Sequence, residues 1–185
     1  MTQRSTLLAI LAMFFFAACG GESYHVGKPW NDEDARFFDD GVDLIENPGI
    51  TTGIFGFQQK DLLNGRVQLS DFVAIVTVQT VRTTTFSDRS EIKFVDVTIE
   101  KTLYGNRPEK KLSLRSEPSS TGYALVSRHE ASLSGRFILF SRWFEETSAN
   151  PSSPKTIARH FHLTPASSRM LTEVKLGLAR RSQLE

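Results

Sequence analysis

The chain has 185 residues, a length suited to one domain with appendages, and its 39% apolar content is low for a globular protein but above the disordered class. The formal net charge is +1, with 22 basic against 21 acidic side chains, so there is no electrostatic footprint for nucleic acid. A single cysteine excludes an intrachain disulfide, a thiolate zinc cluster and a CxxC redox pair, while 14 phenylalanines can supply an aromatic core.

Arg4 provides a short positive start, and Leu7 to Ala18 (LLAILAMFFFAA) is an unbroken apolar run. At ~1.5 Å per residue this run spans about 18 Å, well short of the ~30 Å hydrocarbon core. An exported signal segment is the stronger reading. Phe16-Ala17-Ala18-Cys19 resembles the lipobox of a bacterial lipoprotein, in which an apolar residue and two small residues precede the cysteine. That resemblance implies cleavage between Ala18 and Cys19, diacylglycerol on the Cys19 thiol and acylation of the new amino terminus. Two or three acyl chains anchor durably where one does not. Gly20 follows Cys19 in place of the Asp that commonly retains such proteins at the inner membrane, so an outer-membrane location is favoured in a Gram-negative cell.

The domain plan expected is a signal peptide over 1–18, a tether with short irregular or helical elements over 19–69, an OB-like β-barrel over 70–165 and a C-terminal helix with tail over 166–185. In the tether, the acidic residues Asp32, Glu33, Asp34, Asp39, Asp40 and Asp43 invite a calcium-loop reading. Counting back from Gly41 puts Arg36 at the first ligand position, so the cluster is expected to be a solvated acidic face. Gln58 to Asn64 reads as a short helix ended by Asn64-Gly65.

From Asp71 onward the Val, Ile, Thr and Phe content predicts strands. Phe72–Phe86 and Glu91–Gly105 form a pair joined by a turn at Ser87–Ser90, and a third strand covers Lys110–Ser116. An irregular stretch over Thr121–Gly135 follows. Arg136–Glu146 is apolar on both faces early, hence central, and Thr156–Pro165 is the fifth strand. The fold class expected is mainly β: a five- to six-stranded antiparallel OB-like barrel, because closure removes exposed edges. Met170, Leu171, Val174 and Leu178 at helical spacing predict a final helix, with Ser167 or Ser168 as N-cap and Arg180 and Arg181 near its end.

The series Val97-Thr98-Ile99-Glu100 with Gly105, then Gly135-Arg136-Phe137-Ile138-Leu139-Phe140, resembles bacterial relatives of the netrin/TIMP-like OB barrels over roughly Asp71–Phe144. The resemblance implies the fold. The chain lacks the cysteine pairs of most such domains, and an acylated Cys19 cannot chelate a protease's zinc as the animal inhibitors do.

His160 and His162 share one face of a strand, ~6.5–7 Å apart, a spacing able to chelate zinc or copper. His25, His129 or an acidic residue would have to complete such a site. A solvent-facing histidine pair is the reading preferred, and no cofactor is expected. Trp143, beside Phe144 near a strand end, is expected in the core or rim rather than as a stacking platform. There is no G-x-S-x-G elbow, Walker loop or G-x-G-x-x-G. The function expected is a non-enzymatic, lipid-anchored envelope protein displaying a β-barrel to a protein or glycan. A metal-dependent envelope enzyme using His160 and His162, and a structural component of an envelope complex, are the alternatives.

Overall fold

The structure, a computed structural model, describes residues 28–46, 54–106, 109–146 and 156–184. The cleavage and lipidation residues Ala18 and Cys19, together with His25, lie outside the described residues.

Five long strands carry the fold: β3 (Phe72–Thr85), β4 (Glu91–Tyr104), β5 (Lys111–Ser116), β6 (Gly135–Glu146) and β7 (Thr156–Pro165). Two short strands, β1 (Lys28–Pro29) and β2 (Gly41–Val42), join them. The helices are α1 (Asp32–Ala35), α2 (Ile54–Leu69), α3 (Tyr123–His129) and α4 (Ser168–Arg181). The sheet runs β2-β7-β6-β3-β4-β5 and curls into a six-strand half barrel. The long strands pair antiparallel, as the short connections require. The additions are parallel: β1 lies along β6 at Phe144 and Glu145, and β2 along β7 at His162 and Leu163.

Strand patterning explains the layering. β5 alternates strictly, burying Leu112, Leu114 and Ser116. β6 lies between β3 and β7, which accounts for its apolar residues on both faces. Inside the curl, Ala74, Val76, Val95, Val97, Leu114, Leu139, Phe161 and Leu163 form one core. On the other face Val73, Ile138, Phe140 and Phe144 meet Phe38, Leu63 and Val67, with Met170 and Val174 of α4. Each fully buried Phe or Leu stabilises by ~1.5–3 kcal/mol relative to exposure.

Ser167 caps α4, accepting from the Met170 N–H at 3.1 Å. α3 lies within the stretch expected to be irregular. It is short, buries only Val126, and its N-cap, Gly122, has no side chain to bond the first turn.

Three expectations are corrected. Residues 28–46 and 54–69, assigned to a tether, include core residues: Phe38 is 0% exposed and Val67 is 1% exposed. α2 does not stop at Asn64-Gly65 but continues to Leu69. Gly65 is a close-approach residue, since a Cβ there would lie 2.1 Å from Cε1 of Phe37. The acidic cluster is not a solvated face either: Asp34 and Asp40 are buried. Among the described residues, no helix is long and apolar enough to cross a membrane.

Candidate functional site: a carboxylate-clamped histidine pair beside a cleft

Residues 39–43 (DDGVD) form a strap along the free edge of β7. The Asp40 N–H donates to the Phe161 carbonyl and the Asp43 N–H to the Leu163 carbonyl, each at 2.9 Å. On its other side the Gly122 N–H donates to the Asp39 carbonyl at 2.9 Å, tying the strap to the start of α3. The approach is tight: a Cβ on Gly122 would meet the Gly41 Cα at 2.3 Å. Asp40 adopts a left-handed backbone, φ 52°, which turns its carboxylate back onto β7.

The strap brings three carboxylates to the two histidines. His162 is 2% exposed, its Nδ1 lies 2.7 Å from Asp39 Oδ1, and its Nε2 lies 2.9 Å from Asp43 Oδ2. Ionised carboxylates only accept, so each ring nitrogen of His162 carries a hydrogen toward its partner. Asp43 also accepts from Arg66 Nη1 at 3.2 Å, Thr164 Oγ1 at 2.6 Å and the Ile45 N–H at 3.1 Å. Arg66 projects from α2, is 5% exposed, and donates from Nε to the Phe37 carbonyl at 3.1 Å.

His160 takes the remaining carboxylate. Its Nδ1 is 2.7 Å from Asp40 Oδ2, while Asp40 Oδ1 accepts the Phe161 N–H at 3.0 Å and Oδ2 the Ser120 hydroxyl at 3.1 Å. Trp30 stacks on the His160 ring, with centroids 3.8 Å apart and planes 15° apart. Phe144 meets the Trp30 ring edge-on at 4.6 Å.

Electrostatics follow from this packing. Burial works against ionisation of Asp39 and Asp43. The charge and hydrogen bond of His162, with Arg66 adding its charge, outweigh burial and hold both carboxyls below the ordinary value. Thr164 adds a further hydrogen bond to Asp43. For Asp40 burial prevails over the hydrogen bonds from His160, Phe161 and Ser120, and pushes the carboxyl up. Burial likewise lowers Arg66, against the pull of Asp43 and Asp39.

A cleft of about 890 Å³ opens where the sheet does not close, lined by α1, the strap, β5 with its following loop, and the start of β7. Trp30, Asp40, His160, Arg115 and Ser120 all face it. Among the described residues, His160 Nε2 has no partner.

The sequence pattern correctly put His160 and His162 on one strand face, opposite Arg142 and Phe140 of β6. They are not a solvent-facing pair: His160 meets Asp40 while His162 meets both Asp39 and Asp43, and they share no carboxylate. Among the described residues, no group of three or more His, Cys, Asp or Glu is arranged to hold a metal ion. Trp143 is half-buried, with the Arg159 guanidinium 4.1 Å from its ring centroid. His129 ends α3, where its carbonyl accepts from the Leu133 N–H at 2.8 Å. Sequence reasoning missed Trp30, Arg66, Ser120 and Thr164 as site residues. The signal available was numerical: three carboxylates in one five-residue segment matched two histidines in another. No protein-family model, curated protein sequence or solved structure matches this chain.

Proposed function

We propose that the chain is a lipid-anchored envelope protein, held through acylated Cys19 after cleavage behind Ala18, whose half barrel presents the Trp30–His160 cleft as a ligand-binding site. The cleft carries this reading: an open concavity lined by an imidazole that Asp40 and one aromatic neighbour fix in one orientation. The anchor rests on the lipobox pattern around Cys19. The OB-type assignment rests on the strand motifs together with the curled sheet. The role is one of binding rather than catalysis. A metal-dependent enzyme using both histidines has less support, because both ring nitrogens of His162 are engaged by carboxylates.

Two measurements test the reading. Cys19→Ser should abolish acyl labelling and release the protein from membranes; continued labelling would overturn the anchor. A photo-crosslinking residue at Ser119, on the cleft rim, should capture an envelope component that the same residue at Lys175, on α4, does not. Equal capture from both positions, or none from Ser119, would overturn the cleft as the binding site.

A further inference from the structure

The chemistry of the cleft narrows what it can hold, given that it is a binding site. The Phe161 N–H and the Ser120 hydroxyl both donate to Asp40, so its oxygens act as acceptors and the hydrogen of the short contact lies on His160 Nδ1. In the neutral ring that tautomer leaves Nε2 as an oriented lone pair. Its ring cannot swing away, because Trp30 covers one face and Phe144 lies against its edge at 5.5 Å. A group that pairs with this nitrogen must bring a hydrogen: a hydroxyl, an amide N–H or an ammonium.

The charges around it decide among these. Arg115 is paired with Glu117 at 2.6 Å, Asp39 with His162 and Asp40 with His160. A phosphate or sulfate would find Arg115 already paired, and an ammonium would find the Asp40 oxygens already filled by three donors, from His160, Phe161 and Ser120, and Asp39 already paired with His162. Ser119 and Thr121 add hydroxyls, unpaired among the described residues, to the lining, which also holds Asp32 and Arg159. A fixed acceptor and a fringe of hydroxyls suit an uncharged, hydroxyl-rich ligand such as a sugar ring, whose hydroxyls both donate and accept. The volume of about 890 Å³ lies near the top of the ~300–1,000 Å³ range of small-molecule clefts, and so leaves room for more than one ring.

We propose that the cleft binds a neutral glycan, with His160 Nε2 accepting a sugar hydroxyl and Trp30 holding the imidazole in place. This rests on the cleft being the binding site. A protein partner would meet the same acceptor through a backbone amide, but a concave, hydroxyl-lined site fits a chain of sugar rings better than the flat surface typical of protein contacts.

The test uses the full lipidated chain in a detergent without a sugar headgroup, applied to an array of neutral, sulfated and amino glycans. Positive array glycans are then titrated in solution against tryptophan emission. His160→Phe keeps a ring against Trp30 and removes the acceptor; Asp40→Asn removes the charge that orients it. The expected result is retention of a neutral glycan, with affinity lowered about tenfold or more in each variant, the loss that one oriented hydrogen bond implies. His160→Phe takes one donor from buried Asp40 and should lower the urea midpoint, so the assay is run in buffer without urea, where an unchanged near-ultraviolet circular dichroism spectrum separates a lost contact from a lost fold. Binding confined to sulfated or amino glycans would overturn the neutral-ligand inference. So would neutral glycan binding that is indifferent to His160→Phe. If no glycan binds while the Ser119 crosslinker captures a protein, the glycan inference falls and the cleft remains a binding site. If both fail, both fall.

Discussion

Asp43 gathers four donors on one carboxylate, from His162, Arg66, Thr164 and the Ile45 N–H, and three of these belong to side chains almost closed to water. Asp43→Ala leaves all four without their acceptor. Removing one member of a buried ion pair costs about 3–5 kcal/mol, and orphaned neutral donors add ~1–3 kcal/mol each when water cannot reach them. The Asp43 side chain is 17% exposed, so water enters at its outer edge and relieves Ile45 first. A net loss of about 4 kcal/mol is expected, a large part of the ~5–15 kcal/mol of a whole domain. Urea unfolding followed by tryptophan emission reads this directly: with m near ~2 kcal/mol/M, the midpoint should fall by about 2 M at unchanged m. Asp43→Asn preserves shape and an acceptor for Thr164 but loses the charge, and should fall about halfway between. A midpoint shift under about 0.5 M for Asp43→Ala would refute the idea that the strap is held by its carboxylates.

Acid should release the same strap. Asp39 and Asp43, held below their ordinary value of 3.8, contribute stability that is present above that value and lost as pH falls through their folded values. Asp40 is pushed up and acts oppositely, contributing below 3.8 and losing that contribution as pH rises through its folded value. Asp43→Asn should therefore flatten the acid limb of a midpoint-versus-pH profile below about pH 4, and an unchanged limb would contradict the assignment. Gly122→Ala drives a Cβ to 2.3 Å from the Gly41 Cα and 2.6 Å from the Asp39 carbonyl oxygen, backbone that cannot rotate aside. It should destabilise by about 3 kcal/mol in calorimetry, and a neutral result would show that the strap is not wedged there.

The long strands were legible because their burial alternates locally: Leu112, Leu114 and Ser116 announce one face of β5 within six residues. The central place of β6 was legible from its two-faced apolarity, and α4 from Met170 and Val174 with Ser167 before them. The strap was not legible. Asp39, Asp40 and Asp43 look solvated from their neighbours, and their partners lie 119 to 123 residues away. Gly65 misled for the same reason, since a glycine that admits the Phe37 ring reads locally as a helix stop. The histidine spacing was visible, but what each ring nitrogen faces depends on a segment that returns to β7 from far away along the chain.

The most direct measurement of the central feature is the side-chain nitrogen spectrum of the isotope-labelled histidines in the full chain at about pH 7. The expected spectrum places a hydrogen on His160 Nδ1, the nitrogen that faces Asp40. On adding a bound glycan, the His160 Nε2 resonance should shift while those of His162 stay in place. A His160 carrying its hydrogen on Nε2 with Nδ1 bare would contradict the Asp40 clamp, and with it the oriented acceptor on which the cleft depends.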